Sequence, residues 1–415
     1  MEVKQGYKQT ELGIIPEEWS VKSIDQIFSF YSTSNYSKAQ MTLEGDVGCL
    51  HYGLIHAIKN SFYNVKSGIK YYVNMKQAKY EFVVNGDIVM VDASEDLSGV
   101  NKSVEITGIG NKLYISGLHT FLLRDRGFLA EYFRGAILNS NIAKTQMLRL
   151  AVGMKVYGVS RPQIKTVLLP VPPFPEQTAI ANALSDMDAL ISQTEKLIEK
   201  KKAIKQGVMQ ELLKPKEGWV KVTLGSVINV SRGGSPRPIQ DFLTSDADGI
   251  NWIKIGDTDI ESKYINSANE KIIPEGEKNS RKVNVGDFLL SNSMSFGRPY
   301  ILNIDGCIHD GWLVLQNYDA HFDQEFLYYS LMSSYVLKQY LRLAAGSGVL
   351  NLNKEIVKGV QLLKPRDLNE QRAIADILST MDKDIDLQII KLNKLKQQKQ
   401  GMMQALLTGK IRLVS

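Results

Sequence analysis

Cysteine is scarce: 415 residues contain only Cys49 and Cys307, far apart in the chain. This argues against a disulfide framework and a cysteine zinc site, and it fits a reducing cytoplasm. The five histidines are scattered, and none stands at a metal-ligand spacing from Asp, Glu or Cys. No apolar run approaches the roughly 20 residues needed to cross a bilayer. Met1 to Thr10 is polar and has no signal-peptide core. The sequence thus predicts a cytoplasmic chain with no membrane partner and no metal. Catalytic motifs are missing too. There is no GxxxxGK[ST] phosphate loop, and no GxGxxG follows a strand. Val171-Pro172-Pro173-Phe174 approximates the [DN]PP[YF] signature of amino-methyltransferases. Valine, however, stands where Asn or Asp must accept the target amino group's hydrogen bond. The prolines read as stops at a domain–helix junction. Glu199-Lys200-Lys201 resembles a nuclease carboxylate–lysine cluster but falls on a solvated helix face. A non-catalytic chain is expected.

What is present begins with composition. Forty-four per cent of residues are hydrophobic and 23% charged, as in globular proteins. The net charge is +6 and the isoelectric point about 8.9, which permits phosphate contacts without proving them.

The informative feature is internal duplication. Glu176 to Leu213, EQTAIANALSDMDALISQTEKLIEKKKAIKQGVMQELL, aligns without a gap to Glu370 to Leu407, EQRAIADILSTMDKDIDLQIIKLNKLKQQKQGMMQALL. Half the positions are identical. Weaker matches lie outside: Leu148–Ala151 with Leu341–Ala344, Asn85–Val89 with Val285–Leu289, and Glu18-Trp19 with Gly218-Trp219. The chain is two copies of a diverged domain followed by a conserved-type segment. Each segment predicts a long helix, since helix formers dominate and apolar residues recur at 3–4 spacing. The expected coiled-coil seam is Ile180, Leu184, Met187, Ile191, Ile198, Val208 and Leu212 in the first copy. In the second it is Ile374, Leu378, Met381, Ile385, Leu392, Leu395, Met402 and Leu406. Lys214-Pro215 and Thr408-Gly409 supply stops. The second helix leaves the second domain near Pro365 and pairs with the first only by running antiparallel to it. Polar Thr194 and Gln388 sit at the seam's midpoint, and this register brings Lys201 near Asp382.

The predicted fold class is α+β: two tandem α+β recognition domains separated by two long helices that form an antiparallel coiled coil, a pseudo-two-fold repeat. The divisions are residues 1–172 (first domain), 173–214 (first helix), 215–366 (second domain) and 367–415 (second helix and tail). Strand-like runs include Tyr71–Val73, Asp87–Val91, Thr120–Leu123, Trp252–Ile255, Asp287–Leu290 and Trp312–Leu315. Leu129–Leu148 and Gln324–Leu341 are helix-like. Loops supply the candidate nucleic-acid contacts, because Arg, Lys and Asn suit phosphates and base edges. In the second domain these are Arg232, Gly233, Gly234, Ser235 and Arg237, whose glycines are expected to bring backbone N–H groups to an anion. Lys254, Asn292, Ser293, Arg298, Ser347 and Asn351 join them. In the first domain they are Ser34, Asn35, Lys38, Ser94, Lys155, Tyr157 and Arg161.

Over essentially its whole length the layout resembles the specificity subunits of type I restriction-modification systems. The carrying motifs are Tyr7-Lys8-Gln9-Thr10-Glu11-Leu12-Gly13-Ile14-Ile15-Pro16-Glu17-Glu18-Trp19, the two EQxAIAxxLSxMD helices with their KQGxMQxLL ends, and Leu407-Thr408-Gly409-Lys410-Ile411-Arg412-Leu413. The resemblance implies two domains that each read half of a bipartite double-stranded DNA site. It also implies a coiled coil that sets the gap and docks two methyltransferase (modification) subunits, with motor-nuclease (restriction) subunits beyond them. This chain would bind no cofactor; S-adenosylmethionine, ATP and Mg would be used by the partners. The other readings are a coiled-coil scaffold without DNA specificity, and the specificity portion of a fused restriction–methylation enzyme.

Overall fold

The computed structural model describes residues 4–96, 99–153, 155–259, 261–292, 296–344 and 352–413. The chain divides into two compact units, residues 1–196 with 390–415, and residues 197–389.

The first unit opens on a hairpin, Tyr7–Thr10 against Gly13–Pro16. Gly13, at φ 96°, supplies the left-handed residue after the turn. Its main sheet has five strands in the order Phe28–Tyr31, Thr120–Asp125, Ile88–Val91, Ser103–Thr107 and Phe62–Asn64. The last pair is parallel and the others antiparallel. Ile88–Val91 is buried throughout, as an apolar β-branched run in a sheet covered on both faces must be. A three-stranded sheet places Val47–Leu50 between Leu113–Ser116 and Tyr72–Val73. Ser20–Ser23 pairs antiparallel with Leu168–Val171, which leads into the first long helix at Phe174.

The second unit repeats this plan. Its corresponding sheet runs Asn229–Arg232, Trp312–Gln316, Phe288–Ser291, Pro299–Leu302, Tyr264–Ile265, again with only the last pair parallel. Val220–Thr223 pairs with Gln361–Lys364. The second sheet is larger here, five strands in the order Leu243–Thr244, Glu270–Ile272, Ile250–Ile253, Gly306–Ile308, Arg281–Val283.

The two helix-like stretches are each broken once. Phe133–Leu138 and Asn141–Leu150 flank Ser140, whose hydroxyl caps Ala143 N–H at 3.2 Å. Gln324–Met332 and Ser334–Ala344 flank Ser333, which caps Val336 N–H at 3.3 Å. A serine N-cap starts a new helix where hydrophobic periodicity alone reads straight through.

The long helices are Phe174–Leu212 and Leu368–Leu406, 39 residues each. Every expected seam residue is buried or half-buried. The outer turns belong to the domain cores as well: Ile180, Leu184 and Leu406 in the first unit, Ile374 and Leu378 in the second. Ion pairs fix the register. In the first unit Asp188 meets Lys399 and Glu195 meets Lys396, so partner numbers fall as helix numbers rise, which is antiparallel. In the second unit Lys201 bonds Asp384 and Lys205 bonds Asp382. The expected Lys201–Asp382 contact is therefore replaced by two pairs, because long side chains reach along the axis rather than straight across. Thr194 is buried, and its hydroxyl donates to its own helix at Leu190 O, 2.8 Å away.

Candidate nucleic-acid interface

In both units several of the candidate residues border one end of the main sheet, where its central strand and a strand beside it meet their loops. In the second unit Asn292 N–H bonds Gly311 O at 3.1 Å, and in the first Asp92 N–H bonds His119 O at 3.2 Å. These two positions correspond.

Around Asn292 the structure assembles much of the expected set on one residue, Asp310. Its carbonyl accepts Arg232 Nε at 2.9 Å and Asn292 Nδ2 at 3.5 Å. Its carboxylate accepts Ser235 Oγ at 3.1 Å and Arg237 Nη2 at 3.4 Å. Burial works against ionisation of Asp310. The Ser235 hydroxyl, His309 and Arg237 outweigh it and hold the carboxyl below its ordinary value. The glycines do not serve as expected. Gly233 N–H donates to Trp312 O and Gly234 N–H to Ile308 O, so neither amide is offered to an anion. Their use is close approach: a Cβ at Gly233 would lie 2.1 Å from the His309 carbonyl oxygen. The loop borders an open groove of about 840 Å³ lined by Arg237, Gln240, Trp252, Lys254, Glu270 and His309. Lys254 is bonded to Glu270 across it. Arg237, with 80% of its side chain exposed, is the cation most available to an incoming phosphate. Asn292 is buried, and Arg298 is half-buried 5.7 Å from the Tyr300 ring. Ser293, Ser347 and Asn351 lie outside the described residues.

In the first unit Ser94 and Tyr157 are brought together by a two-residue pairing of Ala93–Ser94 with Tyr157–Gly158. Lys155 and Arg161 are exposed beside them. Arg161 donates to Phe30 O at 2.9 Å and lies 5.0 Å from the Phe30 ring. Ser94 is buried. Ser34 is buried too, with its hydroxyl 4.0 Å from Cys49 Sγ, so it is a packing residue in this structure and not a surface contact. Asn35 is exposed and accepts the Tyr80 hydroxyl at 3.3 Å. Lys38 and Lys70 both lie 5.7 Å from the Tyr71 ring.

Sequence reasoning missed the centre of this face. Tyr52, 43% exposed, stands edge-on to His51, His56 and His119, and His51 packs on Tyr71. His119, at φ 56°, reaches Asp92 at 3.4 Å. Burial, then the charge of Lys38, pushes the His51 imidazole below its ordinary value. Rings and cations interleaved in this way suit stacking and phosphate contact. His51 and His56 stand close in the sequence, but His119 does not, so the sequence carries no direct signal of this cluster. Among the described residues no group of His, Cys, Asp or Glu is arranged to hold a metal ion, and no helix is long and apolar enough to cross a membrane.

Comparison with known proteins matches these two units to one domain type. Residues 16–206 and 216–397 each match the type I restriction modification DNA specificity domain. The MjaX specificity subunit of a type I restriction enzyme from Methanocaldococcus jannaschii is 25% identical over 440 residues, covering 99% of this chain and 97% of that protein. The MjaVIII specificity subunit of the same organism is 26% identical over 287 residues, covering 63% of this chain and 66% of its own length. Among solved structures, the S subunit of a type I restriction-modification system from M. genitalium superposes with a TM-score of 0.54 at 16% identity, covering 98% of both chains. A chain from work on complex assembly and conformational transition of the type I system gives 0.62 at 16% identity, covering 96% of this chain and 99% of that one. With the domain matched twice over most of its length, the chain belongs to the specificity subunits of type I restriction-modification systems.

Proposed function

We propose that this specificity subunit is the non-catalytic reader of a bipartite double-stranded DNA site, working in the cytoplasm. Each unit reads one half with the loops at the shared sheet end. The observation that carries this reading is the duplication itself. Two units keep one framework, down to matching hydrogen bonds, while the loops around Asp92–His119 and Asn292–Asp310 share a His–Asp contact and otherwise carry different side chains. Diverged loops on a conserved frame are what two different half-sites require. Exposed Arg237, Arg232, Lys38, Lys155 and Arg161 supply phosphate and base-edge contacts. Aliphatic residues left exposed on the long helices offer the docking surface for two methyltransferase subunits. They are Leu190 and Ile390 in the first unit, and Leu197, Ile204, Ile377 and Leu387 in the second. S-adenosylmethionine belongs to those partners, and ATP and Mg to a motor-nuclease subunit. That a solved neighbour was studied for complex assembly of a type I system supports this division of labour.

The test is an exchange. Residues 215–366 are replaced by the matching domain of a relative, the complex is expressed with its modification subunits, and methylated motifs are sequenced. One half of the motif is expected to change. A change in both halves, or duplex binding that ignores salt concentration, would refute the modular reader and favour a protein-only scaffold.

A further inference from the structure

The first unit holds a polar cavity of about 520 Å³, lined by its second long-helix segment and by residues that adjoin the loops discussed above, His56 and Asp96 among them. Five lysines line it: Lys59, Lys102, Lys144, Lys396 and Lys399. Three already have carboxylates. Lys399 pairs with buried Asp188 at 2.6 Å, and Lys396 and Lys59 share Glu195 at 2.9 and 3.5 Å. The other two do not. Lys102 donates to a neutral acceptor, the His56 carbonyl, at 2.8 Å. The Lys144 ammonium makes no hydrogen bond or ion pair among the described residues, its backbone N–H alone donating, to Ser140 O. Asp96 also lines the cavity, but its Oδ1 accepts the Gly99 amide at 2.7 Å. Burial lowers the pKa of both lysines, and the charge of Lys144 lowers that of Lys102 further. Two partly desolvated like charges side by side are unfavourable unless an anion joins them.

The sister unit lacks part of this chemistry. Gln146 bonds both backbone groups of Leu168, and Gln339 bonds those of Gln361 in the same way, so the two glutamines are equivalent. Counting back from each puts Leu337 at the place of Lys144 and Met332 at the place of Asn139. Ser61 O accepts a strand amide as Lys263 O does, which makes Lys263 the counterpart of Ser61. The Lys263 ammonium is already sandwiched, 4.5 and 4.8 Å from the Tyr328 and Tyr329 rings and bonded to Glu325. The framework therefore folds with apolar residues at the places of Lys144 and Asn139, while the strand register puts another cation, Arg298, at the place of Lys102.

We propose that this cavity binds phosphate oxyanions, with Lys102 and Lys144 as the charged contacts and Asn60 and Asn141 as neutral donors. The oxyanions come either from a free polyphosphate, such as a nucleoside triphosphate tail, or from the phosphodiesters of a bound duplex. Tripolyphosphate is titrated calorimetrically into the full chain at low salt. Binding of a short duplex is followed by anisotropy in parallel. Lys144→Gln and Lys102→Gln are each expected to weaken binding about tenfold, and Lys144→Leu, which installs the sister residue, by a similar factor. Lys278→Gln, an exposed lysine of the second unit, is the control expected to leave binding unchanged. Loss confined to tripolyphosphate identifies a free polyphosphate. Loss confined to the duplex identifies its backbone. If Lys102→Gln/Lys144→Gln, with an unaltered melting temperature, binds both probes as the parent chain does, or if Lys144→Leu does so, the site is refuted.

Discussion

Glu176 has no exposed side-chain surface, yet it accepts Trp19 Nε1 at 2.8 Å and Arg412 Nη2 at 2.8 Å. Its counterpart Glu370 accepts Trp219 Nε1 at 3.0 Å, but it is exposed and no arginine pairs with it among the described residues. One residue in two copies of a motif thus has two energetic roles. Arg412→Ala leaves a buried carboxylate without its cation and is expected to cost about 3 kcal/mol of unfolding free energy. Glu370→Gln is expected to cost less than about 1 kcal/mol. Urea unfolding of both variants measures the difference, and equal costs would contradict the assignment. The sequence reveals the repeated Glu-Gln and the repeated tryptophan separately. It does not reveal that they bond, since 157 residues separate Trp19 from Glu176.

At the scale of elements, periodicity was a sound guide: both long helices were legible from 3–4 spacing, and the residues expected at their seam are buried or half-buried. The breaks at Ser140 and Ser333 were not, because a side-chain cap leaves no trace in an apolar repeat. The Asp188–Lys399 pair carries its own test. Asp188 is 5% exposed and Lys399 16%. Lys399→Met alone strands the carboxylate, so it is expected to destabilise more than Asp188→Leu/Lys399→Met together, by about 1–3 kcal/mol in equilibrium unfolding. Burial raises the Asp188 pKa, with Lys399 opposing it. The folded state then binds a proton more readily than the unfolded state, so the deficit of Lys399→Met is expected to shrink as the pH falls. A deficit that grows on acidification would show that Asp188 is not the group left unpaired.

Across the whole molecule the duplication was the most legible feature, and it carried the fold class and the family. The candidate interface was less so. Exposed loop cations were visible by residue type. The cluster of His51, Tyr52, Tyr71 and His119 was not, because three separate segments build it. Nor was the role of Asp310, an acid where cations were sought. The ion pairs between the helices have one more implication. Lys399 corresponds to Lys205 and Asp188 to Asp382, so the same Asp–Lys pair occurs once in each unit. The first helix contains both partners and is therefore complementary to itself. A gene truncated after residue 216 is expected to yield a homodimer in which Asp188 of each copy meets Lys205 of the other. Sedimentation equilibrium tests this. Asp188→Lys should give monomers, and Asp188→Lys/Lys205→Asp should restore the dimer; a parent half-chain that stays monomeric at micromolar concentration contradicts it. Such a dimer would read the same half-site twice, in inverted orientation, so losing half the coding sequence would change the target from an asymmetric sequence to a palindrome.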